Sequence, residues 1–112
     1  MTAKAFRNLA LSLPEAMEGA HMGHADFRVR GKIFASLGPE QDWAMVKVPP
    51  DEQADLLDED GDVYQPAKGA WGVQGCTIVR LRDARTQTVR TALVAAWRKA
   101  APKGLVREFD GA

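Results

Sequence analysis

The stretch Phe27–Ala35, which reads FRVRGKIFA, decides the fold of this chain. Apolar residues recur at every second position before and after Gly31, and cations occupy most of the positions between them. A period of two is typical of a strand that has one buried face and one face in solvent. The stretch therefore predicts an antiparallel β-hairpin whose turn contains Gly31.

The length of that turn follows from which residues must share a face. A two-residue loop, Arg30–Gly31, would place Arg28 opposite Ile33 and would mix polar and apolar side chains. A three-residue loop, Arg30–Lys32, places Val29 opposite Ile33 and keeps the apolar residues together. We therefore predict a three-residue loop with its glycine at a positive φ. The predicted buried set of the hairpin is Phe27, Val29, Ile33 and Ala35.

Prolines and the spacing of apolar residues predict the elements outside the hairpin. Phe6, Leu9, Ala10 and Leu13 form the stripe of a helix that ends before Pro14. The other predicted elements are strands at Trp43–Val48, Val63–Tyr64 and Trp71–Leu81, a short helix over Asp51–Leu57, and a final helix from Ala84 or Gln87 to Ala100. Short connections favour an antiparallel sheet. We predict one α+β domain over residues 1–112, a two-layer sandwich with the N- and C-terminal helices packed on one face of the sheet.

Charge is balanced in total but segregated along the chain. The 112 residues include 15 Lys or Arg and 15 Asp or Glu, which cancel. Residues 48–79 carry one basic and seven acidic side chains, whereas residues 80–112 carry eight basic and three acidic ones. The neutral total argues against a strongly electrostatic nucleic-acid binder, but the segregation leaves room for a local basic surface.

Cysteine usage and hydropathy predict where the protein resides. Cys76 is the single cysteine and has no internal disulfide partner, which is typical of a reducing compartment. No apolar run approaches the roughly 20 residues that span a bilayer. We therefore expect a cytoplasmic protein with no membrane partner.

Several segments together resemble the MmcQ/YjbR-like family. The segment Leu11–Glu15 (LSLPE) and the stretch Phe27–Ala35 resemble the N-terminal signature of the family. The further matching residues are Tyr64, Pro66, Lys68, Gly69, Trp71, Ala96, Trp97, Ala101, Pro102 and Lys103. The resemblance covers nearly the whole chain. It implies a frataxin-like (CyaY-like) fold and a DNA-binding role through two hairpin wings.

Two groups of cations are candidates for such a DNA interface. The first group lies on the hairpin and comprises Arg28, Arg30 and Lys32. The second surrounds the last predicted strand and comprises Lys68, Arg80, Arg82 and Arg85. Phe34 and Trp71 would add stacking if their rings are exposed. We expect a monomer that binds duplex DNA through contacts to phosphates, with modest dependence on base sequence.

A second interpretation is a module that binds a protein partner or a small ligand. Tyr64, Lys68 and Trp71 flank a turn, where they would line a groove with one cation and two aromatic rings. The sequence alone does not separate this interpretation from DNA binding.

Catalytic and metal chemistry have little support in the sequence. His21, His24 and Asp26 offer three potential metal ligands within six residues, but no spacing rule makes them converge. No activated nucleophile and no glycine-rich phosphate loop is present. We therefore expect a protein that is not an enzyme and that holds no metal or cofactor.

Overall fold

The computed structural model describes residues 1–111 and shows six strands with helices before, between and after them. The helices are α1 (Ala3–Leu11), α2 (Pro50–Glu59), α3 (Ala70–Val73), α4 (Thr86–Ala100) and α5 (Lys103–Phe109). The strands are β1 (Ala16–His21), β2 (His24–Val29), β3 (Lys32–Leu37), β4 (Trp43–Lys47), β5 (Tyr64–Pro66) and β6 (Cys76–Arg80). They form one antiparallel sheet in the order β1-β2-β3-β4-β6-β5. No helix within residues 1–111 is long and apolar enough to cross a membrane.

Helices α1, α2 and α4 form a layer on one face of this sheet. Helix α4 packs on β3 and β4 and also contacts α1 and α2. Trp97, at the centre of the core, is fully buried, and its indole N–H donates a hydrogen bond to the Pro14 carbonyl at 3.0 Å. The ring of Phe6 in α1 meets that of Phe27 edge to face at 6.0 Å. The predicted α+β sandwich, with terminal helices on one face, is confirmed.

The turn between β2 and β3 is shorter than predicted. Val29 pairs with Lys32, so the loop holds two residues, Arg30 and Gly31, with φ angles of 50° and 82°. Two positive φ angles in sequence are the pattern of a type I′ turn, whose twist suits a two-residue hairpin. Gly31 has the positive φ that we predicted, but the three-residue loop is wrong.

A β-bulge in β3 restores the register that the short turn would otherwise break. Arg28 pairs with Ile33, but Phe27 pairs with Ala35, which leaves Phe34 as an extra residue between the two pairs. Phe34 is fully buried, whereas Ile33 lies on the face of Arg28 and is half-buried. The predicted buried set is therefore wrong for Ile33, because the two-residue turn places it opposite Arg28, before the bulge returns Ala35 to the buried face.

The segment predicted as one strand over Trp71–Leu81 contains a helix and a shorter strand. Helix α3 is bracketed by Gly69 and Gly75, whose φ angles are 66° and 110°. Such angles interrupt extended backbone and are readily adopted only by glycine. Trp71 and Val73 project from this helix with 61% and 80% of their surfaces exposed, so neither is a core residue. Helix α5, after Pro102, was not predicted, and its Phe109 ring lies 4.9 Å from that of Trp97.

The face of the sheet away from the helical layer is here called the open face. One row of cross-strand partners crosses it through all six strands: Gly19, Asp26, Ser36, Met45, Ile78 and Gln65. Direct partners share a face, and side chains two residues further along each strand share it too. The open face is therefore where His21, Arg28 and Lys47 also lie.

The left-handed turn yields a stability prediction. Gly31→Val should lower the free energy of unfolding by about 1 kcal/mol or more, because a β-branched residue resists a φ of 82°. A Cβ at this position meets no atom within 4 Å, so the loss measures backbone strain and not a clash. Chemical denaturation provides the measurement. Gly31→Asn is the matched variant and should lose less, since asparagine tolerates this region. Equal stability of the valine and glycine forms would contradict the turn assignment.

Candidate functional site on the open sheet face

A cleft of about 370 Å³ lies where α3 covers part of the open face. Ile33 and Met45 contribute apolar surface from β3 and β4, and Trp71 contributes it from α3. The complete lining is His21, Ile33, Met45, Lys47, Ala67, Lys68 and Trp71. Its size and its mixture of apolar surface with a few polar groups are typical of ligand sites.

Helix α3 is fixed tightly against its surroundings. A Cβ on Gly72 would lie 1.9 Å from the Ala67 carbonyl oxygen, so only glycine permits this approach. The Gln53 side-chain amide, from α2, donates hydrogen bonds at 3.1 Å to the carbonyls of Gly72 and Cys76 and to the Thr77 hydroxyl. These contacts hold Trp71 as an exposed ring on an ordered support.

A second, smaller cavity of about 210 Å³ also borders Trp71. Ile33, Lys47 and Trp71 line both cavities, whereas Lys32 and Lys99 line only the second. The Lys99 ammonium also donates a hydrogen bond to the Gln74 carbonyl at 3.1 Å, which ties α4 to the end of α3. The two cavities therefore share part of their lining, including the tryptophan.

We call Lys32, Lys47, Lys68 and Lys99 the lysine cluster. The Lys47 ammonium lies 5.4 Å from the centroid of the Trp71 ring, within the range of a cation–π contact. No Asp or Glu lines either cavity, and no salt bridge within residues 1–111 involves a member of the cluster. Four positive charges without a carboxylate partner make this part of the surface attractive to anions.

Beside the cleft, a buried carboxylate joins a histidine and an arginine. The Asp26 side chain is fully buried and accepts hydrogen bonds from Arg28 Nε at 2.7 Å and from the second guanidinium nitrogen at 3.0 Å. His21 Nδ1 lies 2.7 Å from Asp26 Oδ2, the oxygen that also accepts from the second guanidinium nitrogen of Arg28. The Arg28 hydrogen bonds, with that of His21, lower the pKa of Asp26 to about 2 although burial opposes the shift.

The ionised Asp26 determines which ring nitrogen of His21 is available to a ligand in the cleft. A carboxylate only accepts hydrogen bonds, so Nδ1 of His21 must carry the proton. In the neutral imidazole this leaves Nε2 as an acceptor for a ligand. Space for the ion pair comes from Gly19 on β1, because a Cβ there would lie 2.9 Å from an Asp26 carboxylate oxygen.

His24 does not extend this group into a metal site. Its ring lies 4.7 Å from that of His21, and its buried Nδ1 has no hydrogen-bond partner among the residues described. Throughout residues 1–111, no three His, Cys, Asp or Glu side chains are grouped so that they could hold a metal ion. The predicted absence of a metal stays a prediction.

Comparison with known proteins identifies the family. The family model described as YjbR matches residues 11–99, well over half of the chain. The chain belongs to the YjbR family. A similar solved structure is that of the Deinococcus radiodurans protein DR2400, described as having a DUF419 domain. It has a TM-score of 0.75 at 17% identity, covering 97% of this chain and 88% of that one, which shows a shared fold. Comparison with curated proteins returns no match.

In this YjbR-family chain, the structure places the predicted cations of the hairpin in two different environments. Arg28 is paired with Asp26, and Arg30 forms two hydrogen bonds to Glu15, at 2.5 and 2.9 Å. Each of these arginines therefore has an acid beside it. The Arg30 pairing lowers the pKa of the Glu15 carboxyl. Lys32, by contrast, belongs to the lysine cluster.

The cations of the second predicted group, those around the last predicted strand, also lie in different places. Lys68 lines the cleft beside Trp71 and also a neighbouring groove of about 620 Å³. Arg80 lines that groove together with Asp42 and Asp62. Arg82 is exposed on a 3₁₀ turn over Leu81–Asp83, and Arg85 is exposed immediately before α4, so neither lines the cleft.

The alternative groove is present without one of its predicted residues. Lys68 and Trp71 line the cleft, but Tyr64 faces the core, is 2% exposed, and has a pKa raised by burial to about 12. Tyr64 pairs with Val79, and both lie under the helical layer. Phe34 is equally buried, so the stacking role proposed for it is wrong.

Sequence reasoning missed His21, Lys47, Met45 and Lys99 as members of this YjbR-family site. Lys47 and Met45 alternate with buried Ala44 and Val46 along β4, a pattern that indicates a second face. Lys99 comes from a helix distant in sequence, and no local signal relates it to α3.

The buried ion pair predicts how stability depends on pH. The pKa of Asp26 falls from an ordinary 3.8 to about 2 on folding, so its ionised form stabilises the fold. This contribution, on the order of 2 kcal/mol, is present above about pH 4 and is lost as the pH falls towards 2. Asp26→Asn should therefore be less stable than wild type at neutral pH, and the gap should narrow on acidification. Denaturant titrations from pH 7 to pH 2 measure it. If the difference in stability between wild type and Asp26→Asn does not change with pH, Asp26 is not an ionised carboxylate that stabilises the fold.

The space beside Asp26 yields a separate prediction. Gly19→Ala should displace the Arg28–Asp26 pair, because its Cβ would also lie 3.0 Å from Arg28 Nε. The pKa of Asp26 should rise towards its ordinary value, which carboxyl NMR titration measures. Gly104→Ala on α5 is the control, since its Cβ meets nothing within 4 Å and should leave that pKa unchanged. An unchanged Asp26 titration in Gly19→Ala would overturn the argument.

Proposed function

We propose that this YjbR-family protein binds DNA through the surface around Trp71 that the cleft on the open face and the smaller cavity make up, where the lysine cluster contacts phosphates. The observation that carries the proposal is the arrangement of four lysines around an exposed tryptophan, in a cleft and a smaller cavity that no acid within residues 1–111 lines. Lysines that neutralise phosphates release condensed counterions, which supplies affinity without reading the base sequence. A local cluster can do this although the chain as a whole is neutral.

The proposal changes which cations of the hairpin are expected to contact phosphates. Arg28 and Arg30 already have Asp26 and Glu15 as partners, so phosphates would compete with those carboxylates. Lys32 has no such partner within residues 1–111 and lies next to the same turn. The hairpin therefore contributes through Lys32 more than through its arginines.

The placement of acidic residues supports one orientation on DNA. Helix α2, which carries Asp51, Glu52 and Asp55, packs against α4 in the helical layer. Acidic side chains repel phosphates, so a duplex or strand would approach from the open face.

A second candidate function is the binding of a small anionic ligand. The cleft of about 370 Å³ favours it, because apolar surface and two lysines meet there beside His21. A small molecule would occupy the cleft alone, whereas DNA would extend along the lysine cluster into both cavities.

Charge removal tests the DNA proposal. Titration of fluorescently labelled DNA should show affinity that falls steeply between about 50 and 200 mM salt. Lys47→Ala and Lys68→Ala should each weaken binding and flatten the log–log salt slope by about one unit. Arg30→Ala should have a smaller effect because Glu15 already engages the Arg30 guanidinium in the wild-type protein.

Lys4→Ala is the matched control, since it removes the same charge from α1 in the helical layer. The proposal fails if micromolar protein does not bind DNA in about 50 mM salt. It fails equally if Lys47→Ala and Lys68→Ala behave like Lys4→Ala.

A further inference from the structure

We infer that the cleft beside Trp71 receives an unpaired base, and that the protein binds single-stranded DNA in preference to duplex DNA. This inference rests on the proposed DNA binding and specifies the form of DNA that the open face takes. Bases within a duplex are stacked on one another and present only their edges, whereas a single strand offers whole base faces.

Trp71 provides the stacking surface. Its ring is 61% exposed, unlike those of Trp97, which is fully buried, and Trp43, which is half-buried. The ring borders both cavities, so a base can enter beside it. Base–aromatic stacking contributes about tenfold to a hundredfold in affinity at a single site.

The support of Trp71 is ordered before any ligand arrives. The Gln53 amide, the close approach of Gly72 to Ala67 and the Lys99 ammonium each hold part of α3 or its ends. Because the backbone is fixed, only the two side-chain torsions of Trp71 have to be ordered on binding, so more of the stacking energy appears as affinity.

The remaining walls of the cleft suit a base. Ile33 and the polarisable thioether of Met45 offer apolar contact to a planar ring. His21 lines the same cleft with Nδ1 committed to Asp26, so its Nε2 is the nitrogen that remains to bond a base edge. Neutral imidazole accepts there, which suits the N–H groups that an unpaired base exposes.

The lysine cluster extends beyond the cleft that would hold the base. Lys68 borders the cleft, Lys32 and Lys99 border the smaller cavity, and Lys47 borders both. A strand with a base in the cleft would therefore meet further positive charge at the neighbouring cavity. Charge complementarity over more than one cavity favours an oligonucleotide over an isolated small anion.

The test compares matched probes and variants. The probes are a labelled single strand of about 12 nucleotides, a duplex of the same sequence, and a mononucleotide. Wild-type protein should bind the single strand at least about tenfold more tightly than the duplex. Binding of the single strand should quench Trp71 fluorescence, and the mononucleotide should bind much more weakly than the strand.

Variants of α3 isolate the ring. Trp71→Ala should lose about tenfold or more in single-strand affinity and little in duplex affinity, whereas Trp71→Phe should retain most of it. Val73→Ala is the matched control, because Val73 is 80% exposed on the same helix but lines neither cavity. It should bind like wild type.

The possible outcomes distinguish a failure of the base-insertion inference from a failure of the proposed DNA binding. If both forms of DNA bind equally and Trp71→Ala has no effect, while Lys47→Ala still weakens binding, the base-insertion inference is overturned and DNA binding stands. If neither form binds at low salt, both are overturned. A mononucleotide that binds as tightly as the strand would also overturn the inference and favour the small-ligand function.

Discussion

The β-bulge in β3 is the constraint on which the open face depends. The two-residue turn at Arg30 and Gly31 sets an even register, which would turn the rest of β3 over. One extra residue, Phe34, absorbs the mismatch and is buried under the helices. The turn itself places Ile33 opposite Arg28 on the open face, where it lines the cleft. Core packing and the floor of the site thus arise from the turn and the bulge together.

The buried Asp26 shows a different balance, in which polar groups stabilise a site on the sheet face away from the helical layer. An ionised carboxylate without water is costly unless its oxygens are hydrogen-bonded. Arg28 and His21 supply those bonds, and the absence of a side chain at Gly19 leaves room for them. The arginine that the FRVRGKIFA pattern presented as a solvent-facing cation is therefore largely committed to structure. Arg28 therefore affects function only indirectly, through the orientation of His21.

The placement of charges explains how a chain with no net charge can have a surface suited to DNA. Most carboxylates of the central segment lie on α2 and the loop after it, whereas no acid within residues 1–111 lines the cleft or the smaller cavity beside Trp71. The cluster draws one lysine from each of β3, β4, the turn before α3, and α4. Counting charges along the chain cannot detect such a group, because its first and last members are separated by more than half of the sequence.

Much of the fold follows from the sequence alone, because alternation, helical stripes and prolines are local signals. They located α1, the β2–β3 hairpin, β4, α2 and α4, and they indicated one sheet face buried beneath helices. They failed where a choice depended on distant contacts. Trp71 and Val73 have the composition of a strand, but Gly72 against Ala67 and the Gln53 amide favour a helical turn there. Likewise, Lys68 and Trp71 were identifiable as candidates, whereas their association with His21, Lys47 and Lys99 was decided only by the tertiary structure, since strand order and helix packing determine which surface residues become neighbours.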